Sequence, residues 1–191
     1  MSAWTARRKR LDAALGTLLW KLLPGRAAAE RRGVPARPGR VLFVCKGNIC
    51  RSVYAEYRAR ALAGPDSGWT FESSGLEAKP GTPSPDRAVA VAARRGIDLA
   101  AHRSRAFDPA RSGSYDAIFV MEPWHQGHAL LRTSPVRATL LGAFHAPPLF
   151  VVRDPYGRDE AAFETAFDEI DEALAALFAH ARGSRGTGRP G

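Results

Sequence analysis

The pattern of apolar and polar positions along the chain alternates between two periodicities. Short apolar runs, rich in β-branched and aromatic residues, predict four strands at 41–44, 69–73, 117–121 and 149–152. Helical spacing predicts helices over 53–63, 85–95 and 124–132. Strands that alternate with helices favour a parallel sheet that is covered on both faces. The expected fold is therefore an α/β domain of three layers, with a four-stranded parallel sheet and helices on both faces.

Two amphipathic helices flank this alternating pattern. The carboxyl-terminal helix has one apolar face, formed by Phe163, Ala166, Phe167, Ile170, Leu174, Leu177 and Phe178. Near the amino terminus, four basic residues at 7–10 precede a second apolar stripe, formed by Leu11, Ala14, Leu15, Leu18, Leu19 and Leu22. Pro24 and Gly25 are expected to end that helix, and a linker rich in Pro, Arg and Gly runs on to Arg40.

These patterns divide the chain into three parts. Residues 1–40 form a basic amphipathic extension with its linker, 41–182 form one globular domain, and 183–191 form a tail expected to be disordered. With 191 residues, of which 45% are apolar, the chain is long enough for a single good core. No stretch reaches the roughly 20 uninterrupted apolar residues that span a bilayer.

The net charge of +9 is concentrated in the extension. Residues 1–40 contain ten Lys or Arg against two acids, whereas residues 41–182 contain sixteen against seventeen. The domain itself is thus close to neutral, which argues against a nucleic-acid groove across it.

The candidate chemistry lies in the polar loop that follows the first strand. Cys45 opens this loop and Arg51 closes it, just before a predicted helix. A loop between a strand and a helix start directs backbone N–H groups and the positive end of the helix dipole at one spot, which suits an anion. Such surroundings favour a thiolate over a thiol at Cys45, and a guanidinium can hold two phosphate oxygens in a fork. A thiolate nucleophile in a phosphate cradle predicts a cysteine-based phosphatase.

Other loop residues fit this cradle. Gly47 and Asn48 accept positive φ at least cost, and a loop that turns its amides inward requires that conformation. Lys46, Ile49 and Cys50 complete the loop, whose N–H groups are expected to hold the phosphate. Ser52 is well placed to cap the following helix.

The motif at 44–52, Val-Cys-Lys-Gly-Asn-Ile-Cys-Arg-Ser, resembles the signature loop of the low-molecular-weight protein tyrosine phosphatases. The resemblance covers roughly 40–180 and continues in the family's order through Ser74-Gly75, Gly96-Ile97, the residues 102–105 and 115–122, and Asp154-Pro155-Tyr156. It implies hydrolysis of protein phosphotyrosine through a phosphocysteine intermediate, without metal or organic cofactor.

The resemblance also implies roles for residues outside the loop. Asp154 corresponds to the general acid, with Asp159 and Glu160 as alternatives, and Tyr156 corresponds to an aromatic wall of the cleft. Cys50 would form a reversible disulfide with Cys45 that protects the nucleophile. The family's hydroxyl at Ser52 bonds to the thiolate or the loop, and His102 corresponds to a histidine that braces the loop asparagine.

Three departures from the family pattern bear on specificity. Val53 replaces the usual proline at the helix start, and Lys46 and Lys79 stand where small, apolar or aromatic side chains are common. These lysines lead us to expect a bias towards acidic phosphopeptides or non-peptide phosphates. Relatives that act on phosphoarginine resemble this loop but carry threonine where Ile49 stands, so isoleucine favours phosphotyrosine. Phosphoarginine hydrolysis remains an alternative activity.

Partners and location follow less directly from the sequence. Two cysteines five positions apart do not make a secreted disulfide framework, and a reactive thiolate needs a reducing compartment, which favours the cytoplasm. Residues 4–23 could contact an anionic membrane surface, dock on a partner or fold back on their own domain. A non-catalytic phosphate-binding or membrane-associated regulatory module is thus a second functional hypothesis. In a bacterium, the resemblance suggests a tyrosine kinase as partner.

Overall fold

The computed structural model describes residues 25–32, 34 and 39–183. Its strands are β1 Arg40–Cys45, β2 Thr70–Gly75, β3 Ala117–Val120 and β4 Ala138–Leu140. Its helices are α1 Gly25–Arg31, α2 Arg51–Ala63, α3 Asp86–Arg94, α4 Pro123–Gln126, α5 Ala129–Arg132 and α6 Glu160–Gly183, with 3₁₀ turns at Pro109–Ser114 and Leu141–Phe144. The predicted amino-terminal helix and the tail 184–191 lie outside the described residues.

The four strands form one parallel sheet in the order β2-β1-β3-β4. Every residue of β1 after Arg40 is buried, as are all four residues of β3, because helices cover both faces of the sheet. The predicted α/β fold with a four-stranded parallel sheet is therefore confirmed. In this register Cys45 pairs with Gly75, so the ends of β1 and β2 meet at the carboxyl edge.

The fourth strand is not where the pattern predicted it. The edge strand is Ala138–Leu140, whereas 149–152 is irregular backbone. The apolar run at 149–152 has a different cause: Val152 is fully buried, and its N–H donates to Met121 O (2.9 Å), just beyond the end of β3. The segment crosses the carboxyl edge of the sheet, which is where parallel α/β sheets bind ligands.

The helix around 124–132 is also different in the structure. Two four-residue helices, α4 and α5, replace it. Gly127 ends the first, and His128 has extended backbone before the second. Glycine is a poor helix former, and its position here separates the two turns.

The segment predicted as a linker contains a helix that docks on the domain. In α1, Ala27 is buried in the core, and Arg31 Nε donates to Ala143 O (2.8 Å). Glu30 is buried and accepts from Arg137 Nη2 (2.7 Å), Gln126 Nε2 (3.1 Å) and Leu140 N (3.3 Å). The Pro- and Gly-rich composition of the segment did not predict this helix, because tertiary contacts rather than local propensity stabilise it. The domain boundaries themselves remain a prediction.

We expect Glu30→Ala to lower the free energy of unfolding by about 1–3 kcal/mol, because it leaves the buried N–H of Leu140 without its acceptor and removes the partly buried bonds from Gln126 and Arg137. Urea denaturation of the full chain measures the effect. Arg26→Ala, an exposed position on the same helix, is the matched control and should change stability by less than about 0.5 kcal/mol. Equal losses for the two variants would contradict the docking role of Glu30.

Among the helices of the described residues, none combines the length and the apolar character needed to cross a membrane.

Candidate active site

The loop from Cys45 to Arg51 lies at the carboxyl edge of the sheet, between β1 and α2. Backbone bonds fix its first half to the segment after β2: Leu76 N donates to Cys45 O (3.0 Å), and Glu77 N donates to Lys46 O (2.9 Å). The loop is thus built by continuing the β1–β2 pairing past the ends of both strands. The geometry of the loop therefore depends on how closely the end of β2 can approach the loop backbone.

Gly75 permits this close approach. A Cβ built at this position would lie 2.7 Å from Lys46 O and 2.8 Å from Asn48 N, both of which are backbone atoms of the loop. Real Cβ atoms are essentially never so close to backbone, so any other residue would displace the loop.

We expect Gly75→Ala to weaken the binding of inorganic phosphate by at least about tenfold, because shifted loop amides lose hydrogen bonds to a charged ligand worth about 1.5–3 kcal/mol each. Isothermal titration with phosphate measures the effect. Gly127→Ala is the control, since its added Cβ would meet only ordinary contacts, at 3.8 Å or more. Phosphate binding that is unchanged in Gly75→Ala would show that the loop does not depend on this approach.

Cys45 is buried at the base of the loop and faces two groups that can stabilise a thiolate. Asn48 N–H donates to its Sγ at 3.3 Å, and Ser52 Oγ lies 3.0 Å from the same sulfur. Ser52 Oγ accepts a hydrogen bond from Asn48 Nδ2 (3.0 Å), and its own hydrogen can go to the sulfur at 3.0 Å or to the more distant Ser74 O at 3.4 Å. A sulfur with two donors at its disposal is well suited to carry negative charge.

Asn48 holds the loop in shape. Its φ of 53° is positive, a conformation that asparagine tolerates better than most residues. Its amide donates to Ser73 Oγ (2.7 Å) as well as to Ser52, and its Oδ1 accepts from Arg105 N (2.7 Å). His102 donates from Nε2 to Asn48 O at 2.8 Å. Burial is the largest influence on His102 and lowers its pKa, which keeps the ring neutral, with one N–H to donate.

A buried carboxylate beneath the loop was missed by the sequence analysis. Glu56 on α2 is 2% exposed and accepts from Ser73 Oγ, Arg60 and Arg105. Burial raises the pKa of Glu56, against the opposing effects of Ser73 and the two arginines. A continuous chain of hydrogen bonds therefore runs from Cys45 through Ser52, Asn48 and Ser73 to Glu56. The position of Glu56 on a helix did not indicate this role, because a glutamate on a helix is usually solvated.

Arg51 is almost entirely buried, with 2% of its side chain exposed. Its Nη1 donates to Glu122 Oε1 (2.5 Å) and Val152 O (3.1 Å), and its Nη2 lies 3.0 Å from Asp154 Oδ2. Burial is the largest influence and lowers its pKa, but Asp154, Cys45 and Glu122 together outweigh it, so the net pKa is raised. The guanidinium therefore stays charged. Its Nε has no hydrogen-bond partner among the described residues.

The sequence suggested no role for Glu122, which appeared only as the last residue of the family-like segment 115–122. It lies two residues beyond the end of β3 and caps α4 in a reciprocal arrangement with His125, whose Nδ1 accepts from Glu122 N (3.1 Å). This cap fixes the glutamate backbone, and the carboxylate reaches Arg51. An acid shortly after a buried strand, at the same edge as the loop, was the available signal.

Asp154 and Tyr156 lie on the segment that leads to α6. Asp154 faces Arg51, and its Oδ1 accepts from Tyr156 N at 3.3 Å. Tyr156 is 63% exposed at the rim. The alternative acids lie elsewhere: Asp159 Oδ1 accepts from Ala162 N (3.1 Å) at the start of α6, and Glu160 pairs with Arg94 (2.6 Å). The structure therefore brings Asp154, and neither alternative, to the loop.

Cys50 is a second free thiol and occupies the cap position of α2. The prediction of Ser52 as the cap is therefore wrong, because the helix already begins at Arg51. Burial is the main cause of a raised pKa at this thiol, with Cys45 and Asp154 adding to it and Arg51 opposing it. Cys50 is therefore protonated at neutral pH, and the two cysteines of the loop differ in their surroundings.

The loop, Asp154 and Tyr156 enclose a cleft of about 200 Å³, lined by Cys45, Lys46, Gly47, Ile49, Cys50, Arg51, Glu77, Asp154 and Tyr156. The wall near β2 carries Glu77, and Lys79, which was predicted for this wall, is not among the lining residues. Lys46 Nζ lies 3.4 Å from Glu77 Oε2. Glu77 thus balances the charge of Lys46, and the expected bias towards acidic substrates loses part of its basis.

A parallel α/β sheet whose first strand ends in a cysteine-to-arginine loop, with an aspartate across the cleft, defines the class of cysteine-dependent phosphatase domains. Residues 40–185 match the family described as low molecular weight phosphotyrosine protein phosphatase. The chain belongs to this family.

Individual relatives support this assignment. The chain is 34% identical over 160 residues to low molecular weight phosphotyrosine protein phosphatase 2 of Drosophila melanogaster, which covers 78% of this chain and 96% of that protein. It is 29% identical over 133 residues to the low molecular weight protein-tyrosine-phosphatase Etp of Escherichia coli K12, covering 70% and 88%. The structure of Vibrio vulnificus Wzb in complex with benzylphosphonate is similar with a TM-score of 0.66 and 31% identity, covering 73% of this chain and 97% of that one.

Proposed function

We propose that the chain hydrolyses protein phosphotyrosine through a phosphocysteine intermediate. The observation that carries the proposal is the arrangement of three groups at one cleft: Cys45 with its two donors, the buried Arg51 and Asp154. The family's name, and relatives named as tyrosine phosphatases, support phosphotyrosine as the substrate.

In the first step, Cys45 Sγ attacks phosphorus while the loop N–H groups and Arg51 hold the equatorial oxygens. Glu122 and Val152 O fix one terminal nitrogen of Arg51, which leaves the Nε and Nη2 edge to face the phosphate. A bound phosphate would compete with Asp154 for Nη2. Asp154, released from this pair and in its protonated form, would then give its proton to the leaving phenolate oxygen.

In the second step, water attacks the phosphocysteine and releases phosphate. Asp154, now deprotonated, takes the proton from that water, which restores the starting state. Ser52 stabilises the thiolate as it leaves, since its hydroxyl lies 3.0 Å from the sulfur. Tyr156 offers its ring to the substrate phenol at the rim of the cleft.

Cys50 is proposed as the partner in a reversible disulfide. A peroxide would oxidise Cys45 to a sulfenic acid, and the Cys50 sulfur would then displace hydroxide, which leaves as water. Both thiols line the same cleft, which supports the pairing. The cytoplasmic location and a tyrosine-kinase partner remain predictions. So does membrane contact through 4–23, residues that lie outside the described part of the chain.

The test of the proposed function is phosphate release from matched peptides that carry phosphotyrosine, phosphoserine or phosphoarginine, with EDTA and a thiol reductant present. We expect kcat/KM for phosphotyrosine to exceed the other two by at least about 100-fold, a discrimination of about 2.7 kcal/mol. A preference for phosphoarginine would move the proposal to that substrate. No turnover, with inorganic phosphate still bound, would favour the non-catalytic phosphate-binding module.

A further inference from the structure

The segment that carries Asp154 has no regular secondary structure, yet it is held at defined points. Residues 145–159 contain neither helix nor strand. On the side of the cleft, Val152 N donates to Met121 O (2.9 Å), and Val152 O accepts from Arg51 Nη1 (3.1 Å). Those two bonds fix the backbone two residues before Asp154. Arg51 thus holds the carbonyl side of the peptide unit that joins Val152 to Arg153.

Glu169 on α6 holds the N–H side of the same peptide unit. Its Oε2 accepts from the backbone N–H of Arg153 (3.0 Å), and its Oε1 accepts from Arg153 Nε (2.8 Å). Both carboxylate oxygens therefore bind one residue, the immediate neighbour of Asp154. The sequence pattern gave no indication of this pairing, since Glu169 stands at the edge of the apolar face of α6.

The burial of Glu169 makes this contact energetically significant. Its side chain is 7% exposed, while that of Arg153 is 70% exposed. A surface ion pair between two solvated side chains would contribute little. A buried carboxylate is costly unless its oxygens are bonded, so at this position of α6 Glu169 is tolerated because it has the Arg153 backbone and side chain to bind.

We propose that Glu169 is a positioning residue for the general acid Asp154, an inference that rests on the proposed function. Arg51 and Glu169 hold the peptide unit between Val152 and Arg153 from its two sides, and the second bond of Glu169 holds the Arg153 side chain. Pro155 restricts the backbone torsions of Asp154 itself. With both sides restricted, the carboxyl group is held where the leaving oxygen will lie. Glu169 touches neither substrate nor the reacting atoms, and it acts through the backbone of Arg153.

The role predicts a specific kinetic signature. A misplaced general acid slows cleavage of poor leaving groups, which need a proton, and hardly affects good ones, which do not. A general loss of folding or of phosphate binding would lower the rate for all leaving groups alike. The dependence of kcat/KM on the pKa of the leaving phenol therefore separates positioning from structure.

The experiment measures kcat/KM of the full-length protein for a series of aryl phosphates whose leaving phenols span a range of pKa. We expect Glu169→Ala to lower the value about 10- to 100-fold for phosphotyrosine, within the span of general acid catalysis, and less than about threefold for the most activated ester. Glu169→Gln keeps the volume and one acceptor oxygen, so it should fall between the native protein and the alanine variant. If Glu169→Ala does not fold, the leaving-group dependence of Glu169→Gln tests the same role.

Two comparisons complete the test. In an Asp154→Asn background, Glu169→Ala should add less than about twofold, because residues that act as one unit are not additive. Asp168→Asn, the neighbouring acid that pairs with Arg95 (2.7 Å), should leave the leaving-group dependence unchanged.

Equal losses across all leaving groups, or full additivity with Asp154→Asn, would overturn the positioning role while leaving the phosphatase activity in place. An inactive native protein would instead overturn the proposed function, and the role of Glu169 with it.

Discussion

Cys45→Ser is expected to lower kcat/KM for phosphotyrosine by at least about 10⁴-fold, because a hydroxyl is a far weaker nucleophile than a thiolate. The two donors that surround the sulfur, Asn48 N and Ser52 Oγ, are placed to stabilise negative charge on a sulfur nucleophile. Continuous assay of phosphate release, with reductant present, measures the loss.

The control for this variant is its own binding of inorganic phosphate. The loop amides and Arg51 are unchanged in Cys45→Ser, so phosphate should still bind, with an affinity within about tenfold of native. A serine variant that retained a few per cent of native activity would exclude Cys45 as the nucleophile. A variant that lost phosphate binding as well would show instead that the loop had collapsed.

Arg51→Lys is expected to lower kcat/KM about 10³-fold, in the range found when a charged group that stabilises transferring phosphate is removed. All three donors of a lysine are on one nitrogen, so lysine cannot bind Glu122 and Val152 O at one end while it presents a forked edge to two phosphate oxygens, as a planar guanidinium can. The same assay measures the effect, with phosphate binding by titration as a second readout.

A matched control exists on the same helix. Arg58 lies on α2, and its Nε pairs with Asp171 (3.0 Å), which lies on α6. Arg58→Lys should therefore change kcat/KM by less than about threefold, since long charged side chains outside the site contribute modestly. If Arg51→Lys and Arg58→Lys had the same effect, Arg51 would have no special part in holding phosphate.

The sequence was sufficient where the chemistry is local. The strand before Cys45, the six-position spacing to Arg51 and the helix after it lie within one continuous segment, so their order alone predicts an anion-binding loop. The parallel sheet was likewise predictable, because β1 and β3 are continuous apolar runs that only a sheet buried on both faces explains. Asp154 could not be assigned from local order alone. The family resemblance made it a candidate, and the fold brings it to Arg51.

The pattern failed where an apolar run had more than one possible cause. Residues 149–152 are apolar because they cross the carboxyl edge of the sheet, whereas the short strand Ala138–Leu140 has too few residues to show alternation. The helix α1 was hidden in a segment whose composition is typical of a linker. In both places tertiary burial, which a local window cannot measure, determined the structure.

By itself, then, the sequence determined the fold class, the cysteine-to-arginine loop and the family. The tertiary structure alone decided which carboxylates support the site: Glu56 beneath the loop, Glu122 against Arg51 and Glu169 behind the Asp154 segment. Each is a glutamate far along the chain from at least one of its partners, and glutamates on helices or after strands are usually solvated. Their roles come from burial and from donors contributed by other elements, and those contacts exist only once the chain has folded.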